Sequence, residues 1–160
     1  MNVYSDYLNS IGINTDTLIK KVETTLLAAK RICPEEIKSI YISDWIQTEG
    51  QRAYEHLYLF TNNYIIESAN FTTDTNVNIE ITVLKDRVIY VIVKYNDYFE
   101  KANTASKLSL YFRTDVGVFG LKGAKENCDK LIEVYDKYVR PNISKVALPG
   151  WSSIITPIGK

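Results

Sequence analysis

EHLYLFTNNYIIES, residues 55–68, is the stretch on which the fold class turns. Two apolar runs meet at Thr61-Asn62-Asn63. In the first, residues 53–61, Leu57 and Leu59 alternate with Tyr54, His56, Tyr58 and Phe60, the period-two pattern of a strand. Asparagine tolerates positive φ, so Asn62-Asn63 reads as a tight hairpin turn, with YIIESANF (64–71) returning as the partner strand. The single histidine, His56, lies inside this hairpin. Catalytic use would require a nucleophile, carboxylate or metal within hydrogen-bond reach. The nearest acid in sequence, Glu55, is expected on the opposite face of the strand, so His56 reads as a packed or rim residue of a sheet.

The same period recurs on both sides of the hairpin. Upstream, IKSIYISDWI (37–46) carries Ile40, Ile42 and Ile46 on one face and Ile37, Tyr41 and Trp45 on the other, and residues 47–52 with Gly50 make a turn. Downstream, TTDTN (72–76) is a polar loop, and VNIEITVL (77–84) alternates with Val77, Ile79, Ile81 and Val83 expected inward. VIYVIVKY (88–95) is β-branched and aromatic throughout, and is expected to be covered on much of both faces. Residues 96–106 read as a loop, KLSLYFR (107–113) as a sixth strand, and VGVFGL (116–121) as a bent seventh in which Gly117 and Gly120 mark a bulge or a close backbone approach.

Helical periodicity brackets the strands. In residues 15–32, Leu18, Ile19, Val22, Leu26, Ala29 and Ile32 recur at three- and four-residue steps; Asn14 or Thr15 is placed to cap this helix and Pro34 to stop it. Val3 to Leu8 reads as a preceding helical turn. A second helix is expected over 123–140, with Ala124, Cys128, Leu131, Ile132, Tyr135 and Val139 along its apolar stripe and Pro141 ending it. The chain thus divides into a helical extension (1–34), a β-rich body with a closing helix (35–141) and an irregular tail (142–160), one structural domain in all.

Composition narrows the function classes. Apolar residues make up 46% and charged residues 24% of the 160, a globular balance. Nineteen basic and nineteen acidic side chains cancel, so no long-range field draws the chain to nucleic acid or an anionic membrane. Cys33 and Cys128 have no metal-ligand spacing and read as free thiols. The longest apolar run, Val88 to Val93, is far short of the roughly 20 residues of a membrane-spanning helix. With no signal-peptide pattern at the start, the protein is expected in the cytoplasm.

Seven consecutive short strands followed by one amphipathic helix exclude the alternating pattern of a parallel sheet and imply an α+β, mainly β, antiparallel barrel or sandwich capped by the C-terminal helix, with an extra N-terminal helix. In this order of elements the span from Ile37 to Arg140 resembles the pleckstrin-homology-like superfold as it occurs in bacterial proteins, with LYLFTNNYIIES similar to the second and third strands. The resemblance implies a recognition module. Phosphoinositide binding, known in the superfold, draws on several Lys and Arg in the first hairpin loop, because several phosphates need several charge-assisted hydrogen bonds. Here that loop is QTEGQR (47–52), with one arginine beside a glutamate, so such binding is not expected.

No catalytic residue, metal ligand or cofactor is expected: Asp44, Glu80, Asp86 and Asp97 fall on different turns, and GVFGLKG lacks the order of a phosphate-binding loop. The leading expectation is a non-enzymatic module that binds a protein or peptide, or another copy of itself. Tyr95, Tyr98 and Phe99 in the 95–105 segment, together with Trp151 in the tail, are its candidate contacts, since exposed aromatics mark interfaces. The alternative is a binder of a small nucleotide-like ligand, of bacterial or phage origin, using His56, Tyr54, Tyr58, Arg87, Lys94 and Arg113 for stacking and charge.

Overall fold

A computed structural model describes residues 4–46, 52–73, 75–99 and 104–145; of residues 45–46, 96–99 and 104–106 it describes the backbone. Two helices come first, α1 (Ser5–Ser10) and α2 (Asp16–Ile32). Seven strands follow: β1 (Ser39–Ile46), β2 (Arg52–Phe60), β3 (Tyr64–Ser68), β4 (Glu80–Val83), β5 (Tyr90–Phe99), β6 (Thr104–Arg113) and β7 (Val118–Ala124). Helix α3 (Asn127–Val134) then runs into a π-helical turn (Tyr135–Val139) and a 3-10 turn (Arg140–Asn142).

Every named strand pairing is antiparallel, and the strands form two sheets, β1-β2-β3-β4 and β5-β6-β7. The architecture is therefore an antiparallel two-sheet α+β fold, and among the described residues the strands form no closed barrel. At the seam, β1 lies beside β7 and side chains replace ladder bonds. Tyr41 donates to the Lys122 carbonyl at 2.6 Å, and the Lys122 N–H donates to Ser43 Oγ at 2.9 Å.

Alternation in the first sheet splits its side chains between two cores. Tyr41, Tyr58, Phe60 and Ile65 face the second sheet, where Leu108, Leu110, Phe112, Phe119 and Leu121 meet them, and Cys128, Leu131, Val134, Tyr138 and Val139 of the C-terminal helical segment join. Ile40, Ile42, Leu57, Leu59 and Ile66 face the other way onto Leu8, Ile11, Ile13, Val22, Leu26 and Ala29. The first sheet is thus buried on both faces, and α1 and α2 form a third layer over it. Gly12, at φ +86°, turns the chain between these helices; a Cβ there would lie 2.9 Å from the Tyr54 hydroxyl.

Several expectations from sequence are corrected. Between the pairs Ile42–Leu57 and Asp44–Tyr54, two residues of β2, Glu55 and His56, stand against one of β1, Ser43, which places a bulge at Glu55–His56. The bulge reverses the alternation, so Tyr54 sits with the helical layer while Tyr58 and Phe60 face the second sheet. The Asn62-Asn63 turn does not use positive φ, which falls instead at Asn70, Asp86 and Lys125 among non-glycine residues. Strand β4 is shorter than expected, so Val77 lies before it, and Val77 and Val83 are exposed, the latter on the edge strand of its sheet. The expected loop at 96–106 is largely strand: β5 and β6 pair out to Phe99 and Thr104. Nor is 88–95 covered on both faces, since β5 is the edge of the second sheet.

In the helices, Ile32 and Ile132 point outward although the periodicity put them inside. The closing helix starts at Asn127 rather than 123, since Gly123 and Ala124 end β7. The π turn adds a residue to the helical repeat, and Val134, Tyr138 and Val139 all reach the core. Strand β7 pairs in unbroken register with β6, so its glycines serve close approach and not a bulge.

Candidate functional site

The exposed large hydrophobic side chains concentrate on β5. Tyr90 is 47% exposed, Ile92 43%, Val93 38% and Tyr95 52%, within six residues of an edge strand. The sequence favours an extended backbone here, because Ile89, Val91, Ile92 and Val93 are β-branched. Val91 packs against the core between the sheets, and Tyr90 and Ile92 alternate onto the outer face. The Arg113 guanidinium lies 5.8 Å from the Tyr90 ring centre, and Arg87 pairs with Asp115 at 2.7 Å at the strand's beginning. Lys94 is exposed on the same strand. Val118, across from Arg113 on β7, adds a further exposed aliphatic side chain. The result is an apolar edge with a basic fringe, chemistry suited to pairing with an extended chain rather than to turnover.

Of the residues expected to contact a partner, Tyr95 stands on this edge. Tyr98 and Phe99 lie further along β5, with backbones paired to Ala105 and Thr104; Trp151 lies outside the described residues. The 95–105 segment is thus mostly two strand arms, not an irregular loop.

The six residues of the ligand alternative are not gathered at one cavity. Tyr58 is buried between the sheets and its hydroxyl donates to the Gly120 carbonyl at 3.3 Å; burial drives that phenol well above its ordinary pKa. The Tyr54 hydroxyl donates to the Ile11 carbonyl on the helical side. His56 Nδ1 accepts the Asn70 N–H at 3.2 Å, and its Nε2 lies 3.7 Å from Glu55, which the bulge brings round to the same region. The residue thus fastens the turn after β3. Arg87, Lys94 and Arg113 belong to the second sheet and the turn leading into it. A cleft of about 310 Å³ does exist elsewhere, between α2 and the segment after β3, lined by Lys20, Lys21, Thr25, Phe71 and Val77 among others and by none of the six.

Sequence reasoning missed a buried polar junction. Asp44 is fully buried; its Oδ1 accepts from Asn127 Nδ2 at 2.6 Å and from the Ala124 N–H at 3.3 Å, and its Oδ2 accepts from Arg52 Nε. Arg52 also donates to Glu126 at 2.5 Å and to the Ala124 carbonyl at 3.2 Å. Asn127 donates to the Ile42 carbonyl at 2.9 Å and accepts from the Tyr7 hydroxyl at 2.9 Å, and that hydroxyl accepts the Ile42 N–H. Burial opposes ionisation of Glu126, but the hydrogen bond and charge of Arg52 prevail and hold it below the usual carboxylate range. Burial raises the Tyr7 phenol well above its ordinary value. These groups tie α1, β1, β2, β7 and α3 together, and the Asp44 oxygens are occupied by donors, so the junction is structural. The only signal in sequence was a charged residue, Asp44, in the middle of an apolar strand.

Among the described residues no three His, Cys, Asp or Glu side chains are grouped as metal ligands, and no helix is long and apolar enough to cross a membrane. No protein-family model, curated protein or solved structure matches the chain.

Proposed function

We propose that this chain is a non-enzymatic interaction module of pleckstrin-homology-like architecture that binds an extended protein segment along β5. The architectural reading is supported by two antiparallel sheets of four and three strands in meander order and a closing helix packed between them. The observation that carries the binding reading is the run of exposed Tyr90, Ile92, Val93 and Tyr95 on an edge strand, an arrangement that soluble proteins ordinarily blunt or cover. Main-chain bonds to the edge would supply affinity, and the alternate side chains specificity. A second copy of the chain is one form such a segment takes. Phosphoinositide recognition finds no support, because Arg52, the one basic residue of the first hairpin loop, is engaged by Asp44 and Glu126.

The test is selection from a displayed library of random extended peptides, with Ile92→Lys as the control and light scattering to report self-association. Ile92 is on the surface, so the substitution is expected to change stability by no more than about 0.5 kcal/mol while reducing peptide capture, or any dimer, at least tenfold. Capture that is indifferent to Ile92→Lys, or no capture and no self-association, would overturn the reading.

A further inference from the structure

One polar stripe of α2 is not turned wholly to water. Thr17, Lys20, Lys21, Thr24 and Thr25 recur at three- and four-residue steps, which puts them on one side of the helix, next to the apolar stripe of Val22, Leu26 and Ala29. They form one wall of the cleft of about 310 Å³, whose other wall is the end of β3 and the segment after it. That second wall is fastened to β2 and to α2. The Phe71 N–H donates to the Glu55 carbonyl at 3.2 Å, Thr72 Oγ1 donates to the Tyr54 carbonyl at 3.1 Å, and Lys21 Nζ reaches across to the Thr72 carbonyl at 2.8 Å. The shape of the cleft is therefore set by the chain itself, and its volume lies at the lower end of the range of small-molecule sites.

Ser68 and Lys20, which line it, have no side-chain hydrogen bond or ion pair among the described residues. Ser68 is 3% exposed. It follows Ile66 by two residues on β3, so its side chain shares the face that packs on the helical layer. A buried hydroxyl without a partner is costly, and native chains rarely keep one. Thr24 and Thr25 show the ordinary solution, each donating to the carbonyl four residues back at 2.8 Å. Lys20 is exposed at the mouth, and no described carboxylate lines the cleft. Buried Phe71 and half-exposed Val77 supply apolar surface.

We propose that this cleft binds a small organic carboxylate: an apolar body against Phe71, a polar group at its inner end bonded to the Ser68 hydroxyl, and the carboxylate at the Lys20 ammonium. Each part answers to one feature of the lining. A single ammonium at the mouth matches one carboxylate, whereas a phosphate draws on several charge-assisted hydrogen bonds, and Lys21 is engaged at the Thr72 carbonyl. The site is separate from the β5 edge, since β5 belongs to the other sheet.

NMR titration of the isotope-labelled full chain at neutral pH decides the matter. Para-hydroxybenzoate carries all three groups; benzoate lacks the inner hydroxyl, para-hydroxybenzyl alcohol lacks the charge, and acetate lacks the body. Para-hydroxybenzoate is expected to shift the amides of Thr24, Thr25, Ser68 and Phe71 saturably. It is expected to bind about tenfold more tightly than the alcohol or acetate, and about fivefold more tightly than benzoate. Lys20→Gln is expected to remove the advantage over the alcohol. Ser68→Ala is expected to remove the advantage over benzoate with no loss of stability to urea, because the hydroxyl it deletes has no bond within the chain. No saturable shift at these amides with any of the probes overturns the proposal, and so does binding that is indifferent to Lys20→Gln. A Ser68→Ala protein that unfolds at lower urea than the native one also overturns it, by showing that the hydroxyl is already satisfied inside the fold. Ile92→Lys on β5 is expected to leave the titration unchanged, so the cleft and the β5 edge stand or fall separately.

Discussion

At Gly123, in β7, the second sheet meets Tyr41 of the first sheet and the start of α3. A Cβ at this position would stand 2.7 Å from the Tyr41 hydroxyl and 3.0 Å from the Asn127 carbonyl oxygen, and neither neighbour is free to retreat. Tyr41 is fully buried with its hydroxyl bonded to the Lys122 carbonyl, and Asn127 is bound to Asp44, Ile42 and Tyr7. Gly123→Ala is therefore expected to destabilise the protein by about 2 kcal/mol, within the range for an overpacked core. Urea denaturation at unchanged slope measures this, and a loss below about 0.5 kcal/mol would show that the seam gives way more easily than its bonds imply. The Cys128 thiol, beside Gly123, makes a weak 3.5 Å contact with the Gly123 carbonyl, and burial pushes it up to about 11, where it is a poor nucleophile at neutral pH.

The β2–β3 hairpin shows what an element's sequence discloses and what it withholds. Period-two alternation disclosed the two strands of 55–68, because each side of the first sheet is buried and the pattern repeats at every residue. The turn's mechanism was hidden, because it depends on a residue distant in sequence. Glu35 accepts from Thr61 Oγ1 at 2.6 Å, from the Asn63 N–H at 3.2 Å and from Asn63 Nδ2 at 2.5 Å, and Thr61 Oγ1 accepts the Tyr64 N–H at 2.9 Å. The bulge at Glu55–His56 was hidden for the same reason, since it is a mismatch with β1. The arms of β5 after Tyr95 and of β6 before Lys107 read as loop because Asn96, Asp97, Thr104 and Ser106 break the apolar alternation around Tyr98 and Phe99. Of the site, Tyr95 was legible as an exposed aromatic; that β5 is an edge was not, since edge status depends on which strands fail to arrive.

Glu35 gives the hairpin a dependence on pH. Hydrogen bonds from Thr61 and then Asn63 hold its carboxyl below the ordinary 4.5 of a glutamate. A carboxyl lowered in the folded state contributes stability that is complete above its unfolded pKa and is lost as pH falls through its folded pKa. Relative to Glu35→Gln, the native protein is therefore expected to be more stable at neutral pH. That advantage should shrink only when pH drops below about 4.5. Urea midpoints of both proteins between about pH 3 and pH 7 test the sign. A gap that stays constant to the acid end would mean that the carboxylate's charge is not what fastens the turn.

The first sheet is the middle layer of the whole molecule. One of its faces is covered by the second sheet and α3, the other by Leu8, Ile11, Ile13, Val22, Leu26 and Ala29 of the N-terminal layer. Removing residues 1–34 would leave a two-sheet body with a closing helix. It would also expose Ile40, Ile42, Leu57, Leu59 and Ile66, whose burial is worth on the order of 10 kcal/mol in total. Loss of Tyr7 from the Asn127 junction adds an unmet donor at the Ile42 N–H. Because a domain's net stability is itself only about 5–15 kcal/mol, the shortened chain is expected to lose cooperative unfolding and to bind a hydrophobic dye such as ANS. Calorimetry and dye fluorescence check this. A sharp, reversible transition in the shortened chain would show that the sandwich and its closing helix stand without the helices, and that the N-terminal layer serves a surface rather than the fold.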